Sequence, residues 1–180
     1  VPASYMPMGI TAENVAERYH LTRQELDLFA QESQMRAASA QVAGKFEGEI
    51  IPVHAVDDEG KEFLFDRDEG VRPNSSLEKL STLEASFKAD GVVTAGNASQ
   101  MSDGAGFVVL MTAQLGIKPI ARFVDYAVAG VDPSYMGIGP IKAIPRVMAQ
   151  TGLNIDQMDV IELNEAFAAQ AIPCIRELNL

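Results

Sequence analysis

Asp159-Val160-Ile161-Glu162-Leu163-Asn164-Glu165-Ala166-Phe167, running on through Ala168 to Leu178, is the stretch that decides the fold class. Residues 159–163 are apolar and β-branched enough to predict a strand, and the small and apolar residues from Ala166 to Leu178 predict a helix. Pro173 lies inside that helix, where its missing N–H predicts a kink. A strand running directly into a helix is the building unit of a parallel sheet covered by helices. The pattern repeats towards the N-terminus. Pro140 to Gln150 reads as a helix with proline at its favoured first position and Gly152 just past its end. Pro119 to Val128 reads as a strand, and so does Gly104 to Met111, whose residues are apolar or small on both faces and therefore predict burial on both. From Asp90 to Leu180 the expected class is α/β.

Before Asp90 the composition is different. Residues 11–44 read as helical, with Thr22-Arg23-Gln24-Glu25 as a capping box and Gly44 as a left-handed stop. Thr11 is a candidate cap for a shorter helix reaching Tyr19. On the longer helix Leu26, Phe29, Ala30, Ser33, Ala37 and Ala40 share one face. Glu49 to Val56 predicts a strand that Pro52 pushes towards an edge, Asp57 to Gly60 a turn, and Phe63 to Phe65 a return strand. Asp66 to Lys88 is polar and loop-rich, with a short helix over Ser76 to Leu83.

The charge balance excludes one class of partner. There are 25 acidic and 14 basic residues in 180, for a net charge of −11. Nucleic acid needs a basic stripe, and none is present. Any anionic ligand must then be held by local donors against the overall field. The single cysteine, Cys174, rules out an internal disulfide framework and a cysteine-rich zinc site. His20 and His54 stand too far apart for a local metal motif, so no metal is expected. The strongest apolar run, Phe107 to Met111, is far short of the ~18 residues of a membrane span. With no signal-peptide pattern, a soluble intracellular protein is the expectation. Val1 is not an initiator methionine, and Leu180 follows directly on a finished helix, so an internal segment of a longer chain is expected.

Three stretches concentrate residues that packing does not require. Thr94-Ala95-Gly96-Asn97-Ala98-Ser99-Gln100-Met101-Ser102-Asp103-Gly104 combines small residues, hydroxyls and an amide. It reads either as a turn entering a strand or as a loop that lets a pantetheine or phosphate group approach the backbone. Met136-Gly137-Ile138-Gly139-Pro140 is either a hinged helix entry or an anion site at a helix N-terminus, but it lacks the G-x-G-x-x-G pattern and the P-loop lysine. Asn164-Glu165-Ala166-Phe167 follows a strand at its carboxyl end, where open α/β sheets bind ligands. Asn164 is there either a helix cap or a catalytic donor. Cys174, in an apolar helix, reads as an inert structural thiol. His54 reads as a strand residue pointing to solvent.

Taken together, these stretches resemble the thiolase family. Met8-Gly9-Ile10-Thr11-Ala12-Glu13-Asn14-Val15-Ala16 is similar to its M-G-x-T-A/S-E-N-V-A segment. Gly96-Asn97-Ala98-Ser99 with Asp103-Gly104-Ala105 is similar to G-N-A/S-S-x-x-x-D-G-A, Met136 to Pro140 to M-G-x-G-P, and Asn164 to Ala168 to N-E-A-F-A. The four occur in the family's order over essentially the whole chain.

The resemblance implies part of a five-layer αβαβα fold with a loop-rich α+β insertion. Residues 1–89 would form the loop domain that binds coenzyme A, 90–118 would close the first half, and 119–180 would open the second. It implies acyl transfer: thiolysis of a 3-ketoacyl-CoA by CoA to acetyl-CoA and a shortened acyl-CoA, or the reverse condensation. CoA and acyl-CoA would be substrates, with no covalent cofactor, and the full-length protein would be a homodimer or homotetramer. It would be cytoplasmic in a bacterium, mitochondrial or peroxisomal in a eukaryote. The family's nucleophilic cysteine lies upstream of the matched residues. Its G-H-P histidine and acid/base cysteine lie downstream, so these residues by themselves would be inactive. Asn164 matches the asparagine that holds a water in the oxyanion hole. Met136, Ala166 and Phe167 match acyl-pocket positions, and Met8, Arg72, Phe87, Ala95 and Ser99 match positions that hold CoA, with Arg72 as the local positive charge. Two departures stand out. Pro7 replaces the histidine of acetoacetyl-specific members, which resembles broad-chain degradative ones, and Lys79 replaces a small hydroxyl residue, so that contact is not carried over. The rival readings are a CoA-binding module without chemistry and a structural segment of an acyl-chain multienzyme assembly.

Overall fold

The computed structural model describes residues 5–180. Helix α1 spans Met8–Arg18 and α2 spans Arg23–Val42. Thr22 and Glu25 form the expected capping box, and Gly44 takes a left-handed φ of 67° just past the helix end. Thr11 is not a cap. It sits inside α1, its hydroxyl donating to Met8 O at 2.7 Å, because the helix already begins at Met8 behind Pro7. A hairpin follows, β1 (Val53–Val56) and β2 (Glu62–Phe65), antiparallel with Val53 opposite Phe65 and Val56 opposite Glu62. Strand β1 starts directly after Pro52, which has no N–H to give a ladder. His54 is exposed on it, as expected. Ser76 caps the short helix α3 (Leu77–Ser81), its hydroxyl accepting from Lys79 N. Helix α4 (Gly139–Thr151) has Pro140 in its first turn and left-handed Gly152 beyond its end, and α5 runs Ala168–Leu178.

The core gathers where α1, α2 and α5 meet. Ala12 and Ala16 from α1, Leu21, Leu26 from α2, Val93, and Ala168, Ala169 and Ile172 from α5 form one buried cluster. Small residues on three helices let the backbones approach closely, so the bulk is supplied by a few larger side chains such as Leu26, which is fully buried.

The three strands expected at 104–111, 119–128 and 159–163 do not form a sheet. Among the described residues the hairpin is the only ladder. Phe107 is 94% exposed and Val108 84%, so the run read as doubly buried lies open. A central strand needs hydrogen-bonding neighbours on both edges and layers on both faces, and no other described segment lies against this one. The run carries an apolar pattern, but no described segment forms a ladder with it.

An ion pair pins the end of α5 to the start of α2. Arg176 Nη2 donates to Glu25 Oε1 at 2.9 Å, while the other oxygen of Glu25 accepts from Thr22 N at 2.8 Å. The Thr22 N–H first, then Arg176, hold the Glu25 carboxyl down at about 2, against an ordinary value of 4.5. A carboxyl depressed on folding stabilises the fold above its unfolded value, and that gain is lost as pH falls through the folded one. The stability gap between parent and Glu25→Gln is therefore expected to be full at pH 6 and to close between pH 4.5 and about 2. Urea titrations of both proteins across that range test it, and a gap constant with pH would refute it.

Candidate functional site

The eight residues matched to ligand-holding positions and Asn164 divide between two adjoining cavities, and an aromatic pair marks the join. The larger, about 700 Å³, lies between α2, α3 and the 94–100 loop, and Arg72, Phe87, Ala95 and Ser99 line it. The smaller, about 410 Å³, is lined by Met8, Met136, Asn164, Ala166 and Phe167. Phe87 and Phe167 meet edge to face with ring centroids 6.2 Å apart, so one ring from each cavity forms the shared wall. Gly9 makes this possible. A Cβ there would overlap the Phe87 ring, so any side chain would push the aromatic out of the wall.

The larger cavity carries positive charge in an acidic protein. Arg72 and Lys79 both line it, and among the described residues neither has a carboxylate partner. Among the described residues Lys79 Nζ donates only to Asn74 O, at 3.2 Å. Two unneutralised cations beside small residues and hydroxyls suit a phosphate-bearing ligand of extended shape. The position set aside in the sequence because it carries lysine thus lies in the same cavity as Arg72. Gln34 also lines it, and its Oε1 accepts from Arg72 N at 2.7 Å, fixing the backbone at that arginine. Nothing local in the sequence marks Gln34, which lies 38 residues away.

The 94–99 loop is not a free set of donors. Asn97 is 3% exposed and its amide is fully used inside the protein. Its Oδ1 accepts from Thr94 N at 2.9 Å, and its Nδ2 donates to Asp27 Oδ1 at 2.9 Å and Val92 O at 3.1 Å. Thr94 Oγ1 accepts from Gly96 N. Of the polar side chains first read as ligand donors, Ser99 stays exposed at the cavity, while Asn97 and Thr94 shape the loop. Glu13 supports it from beneath. Its buried carboxylate accepts from Val92 N at 3.0 Å and Val93 N at 2.9 Å.

Asn164 is not a helix cap. Helix α5 begins at Ala168 with Phe167 in the cap position, three residues further on, and no side chain caps it. Among the described residues the Asn164 amide makes no hydrogen bond, and the residue is exposed at the smaller cavity. A primary amide held at such a wall can donate to a ligand oxygen or a water. Cys174 lies behind that wall, fully buried on α5, its Sγ donating to Gly137 O at 3.7 Å. Burial pushes its thiol up from 9.0, so it is neutral and inert as expected. Among the described residues there is no cluster of side chains able to hold a metal ion, and no helix is long and apolar enough to cross a membrane.

Comparison with known proteins shows which family the chain matches. The model of the thiolase N-terminal domain matches residues 3–114, and that of the thiolase C-terminal domain matches 117–180. The 3-ketoacyl-CoA thiolase of Bacillus subtilis is 48% identical over 191 residues, covering 99% of this chain and 49% of that protein. The crystal structure of the Bacillus anthracis acetyl-CoA acetyltransferase superposes with a TM-score of 0.88 at 43% identity, covering 97% of this chain and 45% of that one. The dimeric peroxisomal thiolase of Saccharomyces cerevisiae superposes at 0.83 with 40% identity, covering 99% and 45%. The chain thus spans about half the length of the curated relatives it matches. With the two family models together covering residues 3–114 and 117–180 and the fold shared at this identity, the chain belongs to the thiolase family.

Proposed function

We propose that these residues form the CoA-holding and oxyanion-donating part of a 3-ketoacyl-CoA thiolase working in fatty acid degradation. The observation that carries the proposal is the partition of the site. Arg72, Phe87, Ala95 and Ser99 line one cavity, and Met8, Met136, Asn164, Ala166 and Phe167 line its neighbour. A CoA thioester has this division: an extended, phosphate-bearing carrier and a compact reacting end. The larger cavity takes the carrier, with Arg72 and Lys79 facing its phosphates and Ser99 its pantetheine. The smaller takes the acyl end, its apolar wall formed by Met8, Met136, Ala166 and Phe167. In thiolysis the carbon–carbon bond breaks and the thioester oxygen gains negative charge as an enolate. Asn164 holds the water that donates to that oxygen. A donor fixed beforehand need not reorganise as charge develops, which is where such groups lower the barrier.

The thiol nucleophile and the acid/base pair belong to other parts of the complete enzyme, because Cys174 is buried and neutral and a nucleophilic thiol must be exposed and activated. In this reading residues 1–89 are the CoA-binding loop domain, 90–118 close the first half of the fold and 119–180 open the second. CoA and acyl-CoA are substrates and no prosthetic group is needed. The complete protein is a homodimer or homotetramer, in keeping with the dimeric yeast neighbour. It works in the cytoplasm of a bacterium, or in a mitochondrion or peroxisome of a eukaryote.

Following 3-ketoacyl-CoA consumption with free CoA, by the complete protein and by its Cys174→Ser variant, tests the proposal. Both are expected to turn over alike. A complete protein that binds CoA without turnover would be a binding module instead, and turnover abolished by Cys174→Ser would make the buried thiol the nucleophile.

A further inference from the structure

Two segments far apart in sequence meet at the wall between the cavities. Ser99 N donates to Ala166 O and Ala168 N donates to Asn97 O, both at 2.9 Å, so residues 97–99 and 166–168 form a short antiparallel bridge. One strand of the bridge ends at Ser99 in the larger cavity. The other leads back two residues from Ala166 to Asn164 in the smaller. Such a bridge is too short to hold itself in place, because two backbone hydrogen bonds in an otherwise irregular loop contribute little net free energy.

What holds it is Asn97. The side chain uses its one accepting contact and both amide hydrogens on three partners, Thr94 N, Asp27 Oδ1 and Val92 O. Its backbone oxygen takes the first N–H of α5. Asp27, 2% exposed on α2, is held in turn by Arg23 Nε at 2.8 Å. The guanidinium of Arg23 also donates to Leu83 O at 2.9 Å and to Leu80 O, both in the wall of the larger cavity. The chain of contacts is continuous from that wall through Arg23, Asp27 and Asn97 to the start of α5, and it is buried where Asp27 meets Asn97. A fully satisfied buried network of this kind has one low-energy arrangement.

We infer that Asn97 is a positioning residue that sets the loop bearing Ser99 and the segment bearing Asn164 in one register, so that CoA binding and oxyanion stabilisation depend on the same side chain. The inference rests on the proposed thiolase reading. Asn97 touches no reacting atom in this account. It acts through the bridge, and a misplacement on the order of 1 Å at a catalytic group costs up to about 10²-fold in rate.

The test uses the complete protein. Asn97→Ser keeps a short acceptor for Thr94 N but cannot reach Asp27, which makes it milder than Asn97→Ala. Val15→Ala serves as a stability control, since Val15 is fully buried on α1 and no part of the bridge. Asn97→Ser is expected to raise KM for CoA and to lower kcat, each about 10-fold, whereas Val15→Ala lowers Tm and changes neither. Hydrogen exchange at the Ser99 and Ala168 amides is expected to speed up about 10-fold in Asn97→Ser and not in Val15→Ala. If Asn97→Ser lowers Tm while KM and kcat stay at parental values, or moves only one of them, the coupling is refuted. If the parent protein shows no thiolysis, the functional reading fails. Exchange at the two amides then still decides whether Asn97 holds the bridge, and unchanged exchange would refute that as well.

Discussion

Asn164→Asp and Asn164→Ala are each expected to lower kcat of the complete enzyme by about 10²–10³, the usual cost of losing one oxyanion donor. Neither is expected to shift Tm beyond about 0.5 kcal/mol of stability. Both halves of this expectation come from where the residue sits. Asn164 is exposed at the smaller cavity, and its amide bonds to nothing else among the described residues. The cap of α5 is Phe167, so no helix-end N–H depends on Asn164. The two substitutions separate donation from shape. Asp is isosteric, and its charge near a helix N-terminus is tolerated, but an ionised carboxylate can only accept. Ala removes the group altogether. Parallel losses of kcat in the two variants, with superimposable melting curves, are the predicted signature. An Asp variant that retains most of kcat would remove Asn164 from the oxyanion hole, and a fall in Tm in the Ala variant alone would make its role structural.

The largest effect on stability is expected at Glu13. Glu13 is 4% exposed, and its carboxylate accepts from two successive backbone amides, Val92 N at 3.0 Å and Val93 N at 2.9 Å. These amides stand immediately before the loop that carries Thr94, Ala95 and Ser99, and Val93 is itself fully buried in the core. Glu13→Ala leaves two N–H groups without partners, at about 1–3 kcal/mol each, for a loss of roughly 2–6 kcal/mol. Glu13→Gln keeps one accepting oxygen and turns an amide hydrogen towards the second N–H, so about half that loss is expected. Water cannot make up the difference cheaply, because the tight turn at Gly91 closes the site. A Cβ added there would lie against the Glu13 carboxylate and 2.9 Å from Lys88 O. Urea unfolding of the complete protein reads both variants as a lower midpoint at unchanged slope. A loss below about 0.5 kcal/mol in Glu13→Ala would mean that the 92–93 backbone finds other acceptors.

What the amino-acid sequence determined alone was what depends on neighbours within one or two turns. The capping box at Thr22 and Glu25, the glycines just past α2 and α4 and the hairpin following Pro52 all use groups close in the chain, and all appear where the pattern puts them. The four motifs were equally legible, because their order and wording identify the family without any contact being known. Tertiary structure decided the rest. Asn97 and Ser99 look alike as polar loop residues, yet one is buried against Asp27, 70 residues away, and the other opens on a cavity. That Asn164 does not cap α5 follows only from the helix starting at Ala168, with Phe167 in the cap position. The runs 104–111, 119–128 and 159–163 carry the apolar character of strands, but character is not a ladder. A strand exists only where another backbone stands about 4.8 Å away to receive its N–H and C=O groups, and that partner is a property of the assembled fold rather than of the run itself.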